Sequence, residues 1–306
     1  MCFCNNYCRL DSVYNRSKEI EINKSSKIIF FSDIHRGDNS GADNFAPNSK
    51  LFISALNYYY SNGFTYIEIG DGDELWENRH FSEIYEAHAD SFHTIRKFYL
   101  DNRFYMIIGN HDIVKSHKHF LKKNLYKYYN EETEQFEPLF ENIKVSEGLI
   151  LRYSETPYTI FVIHGHQCDM LNDRLWPLAR FLVRYVWRPL EIAGLIRSKY
   201  PHPISPARNV KKQSIVENKL INWVKQNNQF MITGHTHKTA FPSPDKPPYF
   251  NDGCCVYKGY ITGIEINNGE IMLVKWSMVP DKNNIKQPHR EIIAGPQKLE
   301  AFWRQR

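Results

Sequence analysis

No run of 18 apolar residues occurs in the 306-residue chain, so a transmembrane helix is not expected. The first residues, Met1-Cys2-Phe3-Cys4-Asn5-Asn6, lack the apolar core that a secretory leader needs. These two absences lead us to expect an intracellular, cytoplasmic protein. Peripheral contact at the inner membrane face is then the remaining membrane option. Cysteine is scarce, with six residues and no Cys-x-x-Cys pair, which leaves nothing to complete a thiolate zinc site. Without an export signal all six read as reduced thiols. Adjacent Cys254 and Cys255 should point to opposite strand faces and not pair. Cys2, Cys4 and Cys8 read as part of a frayed tail, with metal binding or lipidation as the alternatives. There is no internal repeat and no low-complexity tract, which removes solenoid and disordered architectures.

Hydrophobic residues make up 42% of the chain, enough for a sizeable core. The length fits one catalytic domain with an insertion. We divide it into a tail or edge segment at 1–26, a domain at 27–280 with a helical insertion at about 170–228, and a charged, peripheral tail at 281–306. Aromatics are abundant (14%) and read mainly as packing.

Five short apolar runs dominate the pattern: Lys27–Ser32, Thr65–Ile69, Phe104–Ile108, Thr159–Ile163 and Gln229–Thr233. Each is short, rich in Ile, Phe, Val or Tyr, and followed by Gly or a polar residue, as a buried strand opening into a loop would be. Each also ends in residues that bind metals. The endings are Asp33-Ile34-His35, Gly70-Asp71, Gly109-Asn110-His111-Asp112, His164-Gly165-His166 and Gly234-His235-Thr236-His237. Ligands collect where strands end in open α/β sheets. A lone Asp-x-His is more often a turn, and Gly-Asn-His-Asp taken alone suits a turn with Asn at positive φ. Five such endings in order make a site.

The residue types fix the chemistry. Mixed oxygen and nitrogen donors suit manganese first, with iron, zinc and cobalt compatible, over calcium or magnesium. Two metals about 3.5–4 Å apart need a bridging carboxylate, and Asp71 is the candidate. Asp33, His35 and one late histidine complete one metal site; Asn110, His164 and the other late histidine complete the second. A water shared by two such ions would ionise near neutral pH.

The order Asp-x-His, Gly-Asp-x-x-(Asp/Glu), Gly-Asn-His-(Asp/Glu), His, Gly-His-x-His resembles the calcineurin-like metallophosphoesterases over roughly residues 27 to 280. The resemblance implies that Asp33, His35, Asp71 and His237 hold one divalent ion, and that Asp71, Asn110, His164 and His235 hold the other. It implies a catalytic role for His111, a non-ligand that steadies the transition state or protonates the leaving group, with Asp112 beside it. Asp73, an extra acid next to Asp71, is a departure and a second bridge candidate. His80, His88, His93, His117 and His119 read as surface or core histidines. His166 is a residue of the second shell, a substrate contact, or simply a neighbour of His164.

A helix should follow Arg36–Asn48 and end at Gly63. Helical periodicity recurs at 82–100 and 114–128, and 131–142 reads as an acidic loop. Asn267-Asn268-Gly269 between Cys255–Ile266 and Glu270–Trp276 signals a hairpin. Residues 174–219 carry +8 in a chain whose total is +5. Arg180, Arg184 and Arg188 are spaced to share a helix face, amid Leu175, Trp176, Leu178, Phe181, Leu182, Val183, Val186 and Trp187. Pro189 should break or kink this helix, and a second helix is expected at about 207–227. Three readings follow: a cap whose arginines hold substrate phosphates, a face lying on an anionic membrane, or packing against core or a second subunit. Candidate substrate contacts are Arg36, His166, Arg180, Arg184, Arg208 and Lys212. His164-Gly165-His166, Asp169 and Arg174-Leu175-Trp176 leading into this insertion resemble the UDP-2,3-diacylglucosamine diphosphatase branch. That branch often has Arg after its Gly-Asn, where this chain has His111.

The expected fold is an α/β sandwich of two mixed β-sheets flanked by helices, with a helical lid. The expected function is hydrolysis of a phosphoester or pyrophosphate with two divalent metals, on a phosphorylated small-molecule or lipid-linked substrate. A protein phosphatase, a nuclease contacting nucleic acid through the basic segment, and a non-catalytic metal-bound scaffold are the alternatives.

Overall fold

The structure is a computed structural model that describes residues 6–154, 156–192 and 210–303. Among these, all five apolar runs form strands: Ile28–Phe31, Thr65–Ile69, Phe104–Ile107, Thr159–Ile163 and Phe230–Thr233. The first three sit side by side and parallel in a seven-stranded sheet, which continues through Val145–Ser146 at one edge. At the other edge it continues antiparallel through Tyr260–Asn267, Glu270–Pro280 and Lys286–Lys298. The last two runs are parallel neighbours in a five-stranded sheet with Lys18–Ile22, Gly148–Tyr153 and Tyr249–Asn251.

Burial on both faces explains why these strands read as continuous apolar runs and not as alternating ones. The side-chain period of two then divides each strand between two cores. Phe30, Ile67, Leu149, Leu151, Ile160, Val162 and Ile232 pack between the sheets. Ile29, Phe31 and Tyr66 face the helices Ser49–Ser61 and Phe81–Leu100 with Phe52, Tyr59 and Phe98. Phe161, Ile163 and Met231 face the helices Asn6–Tyr14 and Val210–Asn227 with Leu10 and Trp223. The result is the expected sandwich of two mixed sheets with helices outside.

Three expectations are corrected, and one is narrowed. The segment after Pro280 is not peripheral: Lys286–Lys298 completes the large sheet. It leads into Leu299, Phe302 and Trp303, at most 2% exposed in the central core, so the charge of this stretch belongs to an edge strand that ends in an apolar anchor. Of the two readings of the N-terminal segment, the edge segment is the one found: an edge strand preceded by a packed helix. Helical periodicity at 114–128 breaks up into a 3₁₀ turn, Ile113–Ser116, and a short helix, Lys118–Asn124. The acidic 131–142 stretch is half of a small hairpin in which Gln135–Pro138 pairs with Lys127–Asn130. The hairpin at Asn268-Gly269 forms as expected, with both residues at positive φ (52° and 73°), the demand that makes Asn-Gly the preferred pair there.

The insertion is helical over Trp176–Leu182, a π turn at Val183–Trp187, and Arg188–Ile192. Pro189 cannot donate to Tyr185 and would clash with its carbonyl in a regular helix. The wider π turn just before it absorbs the misfit without ending the helical path. Arg208, Cys2 and Cys4 lie outside the described residues, whereas Cys168, Cys254 and Cys255 are buried free thiols.

Candidate metal centre

The five strands end on one edge of the sandwich, and their loops fold over it. Five of the seven expected ligands hold a left-handed backbone: Asp33 (φ 48°), His35 (51°), Asp71 (49°), His235 (68°) and His237 (56°). Aspartate and histidine accept this region at a cost of about 1–3 kcal/mol each, so packing imposes it. Close backbone approach is part of that packing. A Cβ on Gly109 would lie 2.0 Å from Asp71 Oδ1, and one on Gly234 would lie 2.1 Å from Ser32 Oγ.

The side chains converge into two adjoining clusters, Asp33 with His35 and His237, and Asp71 with His164 and His235. His237 Nε2 is 3.0 Å from Asp33 Oδ1, and His164 Nε2 is 3.2 Å from Asp71 Oδ2. His35 Nε2 lies 3.8 Å from both Asp33 Oδ1 and Asp71 Oδ2. Ligand atoms that share an ion at about 2.0–2.2 Å sit at about this spacing from one another. Asp71 Oδ2 therefore faces a histidine of each cluster, which is where a bridging carboxylate belongs. Asp33 Oδ1, His35 Nε2, Asn110 Oδ1, His164 Nε2 and His235 Nε2 are buried with no hydrogen-bond partner. Orphaned buried donors and acceptors are costly, and those of Asp33, His35, His164 and His235 belong to the two clusters. The residues thus fit two divalent ions with mixed oxygen and nitrogen ligands.

The electrostatics favour cations. Burial alone would disfavour a charged His164 ring, but Asp71 and Asp33 outweigh it and raise its pKa to about 9. Burial would likewise push the Asp33 carboxyl up, yet the His237 and His164 rings hold it well below the ordinary range. His164 Nδ1 meets the Ile69 carbonyl at 2.8 Å, which frees Nε2 for a metal. Ser32 Oγ is 2.5 Å from Asp33 Oδ2 and 2.7 Å from Asp252 Oδ1. Burial, and then the charge of Asp33, raise the pKa of the Asp252 carboxyl well above the ordinary range.

His111 borders both clusters, with a ring nitrogen within 4.8 Å of candidate ligand atoms of His35 and Asp71. Its backbone N–H donates to Asp71 Oδ1 at 2.8 Å. Its ring stacks on Trp76 with centroids 4.1 Å apart. Glu74 spans His111 Nδ1 (2.7 Å) and His35 Nδ1 (2.8 Å), aligning both rings with one carboxylate. His111 (7%), Glu74 (6%) and His35 (5%) are the most exposed of these side chains. Glu74 and Trp76 were not singled out from the sequence, although Glu74 stands at the last acidic position of the Gly-Asp-x-x-(Asp/Glu) pattern.

Several expected site residues turn out to be scaffolding. Arg36 is fully buried and bonds Glu68 (3.0 Å) and Asp73 (2.6 Å), so it cannot meet substrate. Asp73 also pairs with Lys115 at 2.6 Å; with both oxygens engaged it is no bridge. Asp112 accepts from the backbone N–H groups of Gly72 (3.1 Å) and Gly109 (2.7 Å) and from Lys115 (2.8 Å). It fixes two ligand loops and does not reach the reacting space. Arg184 donates to the carbonyls of Leu75, Trp76 and Asn78. Arg188 donates to the carbonyl of Glu77 and to Asp38. Arg180 lies over the Trp176 ring at 4.8 Å. Lys212 pairs with Asp169 at 3.0 Å, and Asp169 approaches His235 Nε2 at 3.8 Å, so this pair borders the second cluster. His166 is buried beside His164 and His235, with neither ring nitrogen hydrogen-bonded; burial and then those two rings keep it neutral.

Residues 26–239, well over half of the chain, match the profile of the calcineurin-like phosphoesterases. No curated protein matches. Among solved structures, Vps29 of Chaetomium thermophilum aligns at 10% identity and a TM-score of 0.37, covering 88% of this chain and 97% of that one. The sulfate thiohydrolase SoxB of Thermus thermophilus aligns at 12% identity and a TM-score of 0.28, covering 88% and 56%.

Proposed function

Because the chain belongs to the calcineurin-like phosphoesterase family, we propose that this pocket hydrolyses a phosphoester or pyrophosphate with two divalent ions, manganese first among the candidates. Asp33, His35, Asp71 and His237 hold one ion; Asp71, Asn110, His164 and His235 hold the other. When bound, the ions supply an activated water and neutralise phosphoryl charge. The chain's own part is to place them and to handle the proton. Glu74 anchors His111 Nδ1, leaving Nε2 to face the leaving group. From there it donates a hydrogen bond to the developing negative charge or protonates the departing oxygen. The observation that carries the reading is the pair of buried Asp and His clusters whose facing atoms lack hydrogen-bond partners. A non-catalytic scaffold would be expected to lose a ligand or His111, and all are present.

The finer reading is an amphiphilic substrate with a phosphate or diphosphate head, as in the UDP-diacylglucosamine branch. Its support is the outer face of the lid, where Leu175, Leu178, Phe181, Tyr185 and Val186 are 40–54% exposed. An apolar stripe beside a phosphoesterase pocket suits an acyl chain, and the same stripe with Arg174 and Arg180 suits an anionic membrane surface. No helix among the described residues is long and apolar enough to cross a membrane. The test is a metal-resolved activity screen with p-nitrophenyl phosphate, bis-p-nitrophenyl phosphate and a nucleotide-diphosphate lipid. Turnover that needs an added divalent ion and vanishes with chelator supports the reaction class; none with any ion removes it. Leu178→Ser with Phe181→Ser should raise KM for the lipid alone; an equal effect on small esters removes the lipid reading.

A further inference from the structure

Two lid arginines cap four consecutive carbonyls. Arg184 Nε and Nη2 donate to Trp76 (2.9 Å), Leu75 (2.7 Å) and Asn78 (3.1 Å), and Arg188 Nη1 donates to Glu77 (2.7 Å). These carbonyls belong to the turn that follows Glu74, where the chain leaves the Asp71 loop. Exposed carbonyls at such a turn are otherwise left to solvent or to a cap. Charge-assisted donors are the strong choice, and a guanidinium serves several acceptors at once. The apolar side of the same helix adds to the hold, since Ala179 and Val183 pack on Trp76 with Trp176 and Trp187 around it. Trp76 is the ring on which His111 stacks, and Glu74 at the head of the turn binds His111 Nδ1. The lid therefore touches one support of His111, Trp76, directly, and meets the other, Glu74, through the turn, whose Glu77 N–H donates to Glu74 at 3.3 Å.

We infer that the helical insertion positions His111: Arg184 and Arg188 lock the Leu75–Asn78 turn, and the turn locks Trp76 and Glu74 against the His111 ring. Trp76, Arg184 and Arg188 are positioning residues. Any event that lifts the lid loosens the ring, so lid seating and competence of the centre are coupled. The rate consequence rests on the proposed role of His111, whereas the geometric consequence does not.

The test uses the full chain loaded with zinc, which is diamagnetic, and reads His111 ring protons by NMR, assigned through their loss in His111→Gln. A ring stacked on an indole resonates upfield. Trp76→Leu should abolish that displacement, and Arg184→Ala should remove at least half of it. In parallel, Arg184→Ala should lower kcat about 10- to 100-fold, the usual cost of a misplaced group. KM for p-nitrophenyl phosphate and the metal content should stay within about twofold of wild type, within ordinary scatter for a site left intact. The loss should be larger for phenyl phosphate, a poorer leaving group, and Arg184→Lys should recover part of it. A folded Arg184→Ala with the wild-type His111 shift overturns the inference, and so does a loss of kcat that comes with loss of metal. If Arg184→Ala does not fold, Arg188→Ala carries the same readouts, and an unmoved ring there is equally fatal. If the wild type hydrolyses no phosphoester, the functional reading fails and the ring shift alone decides the positioning claim.

Discussion

Lys115→Met tests the claim that Arg36, Asp73 and Asp112 are scaffolding. Lys115 Nζ lies 2.6 Å from Asp73 and 2.8 Å from Asp112, and Arg36 bonds Asp73 and Glu68. All five side chains are fully buried. Two cations thus face three carboxylates, and the cluster tolerates this because Tyr66 donates to Glu68 and two backbone amides donate to Asp112. Methionine keeps roughly the volume and removes the charge. Breaking one buried pair costs about 3–5 kcal/mol. Lys115 serves two carboxylates, so we expect the upper half of that range, roughly a thousandfold in the folding equilibrium. Against a total of about 5–15 kcal/mol for a folded domain, that is about a quarter or more. Urea unfolding followed by circular dichroism and by fluorescence measures it, provided the two transitions coincide. Asp112→Asn in the Lys115→Met background should restore at least about 1 kcal/mol, because it removes a buried charge left without its partner. A single variant within about 1 kcal/mol of wild type would refute the reasoning and return Asp112 to the list of catalytic candidates.

Three further outcomes follow from the same geometry. His111→Gln should keep both ions by elemental analysis while losing about 10²–10⁴ in rate, the range for general acid–base help; loss of an ion would make His111 a ligand. Glu74→Ala frees both His35 and His111. It should weaken metal binding by about 10- to 100-fold, as lost ligand support does, and calorimetric titration with Mn²⁺ would show an unchanged affinity if Glu74 were incidental. Trp303→Ala should cost about 3–5 kcal/mol, as for a buried aromatic, because Trp303 is 2% exposed and its ring stacks on Tyr158; a urea midpoint near wild type would make the C-terminus peripheral after all.

The central layer of the fold was legible because each strand is buried on both faces, and such strands announce themselves as unbroken apolar runs. The Asp and His residues that converge on one site were legible because every run ends in them. Sequence spacing could not show which charged neighbours point inward. Arg36 follows His35 and looks like a phosphate contact, but the left-handed turn at His35 leads its side chain into the Glu68–Asp73 cluster. Arg184 and Arg188 share a helix face as their spacing predicted, but that face meets the carbonyls of a neighbouring turn, a partner with no signature in its side chains. Trp76 and Lys115 were invisible for the same reason, since each matters through one contact across the fold. The segment after Pro280 was misjudged because polar residues on an exposed edge strand outnumber the three apolar residues that anchor its end.

The most direct measurement is the number of divalent ions per chain, by elemental analysis of protein purified with Mn²⁺, in wild type and in Asp71→Asn. Asp71 Oδ2 faces a histidine of each cluster, so the account predicts two ions in wild type, and at most one with no turnover of bis-p-nitrophenyl phosphate in the variant. Two ions retained by Asp71→Asn with normal turnover, or a single ion in the active wild type, would contradict a centre bridged by this carboxylate.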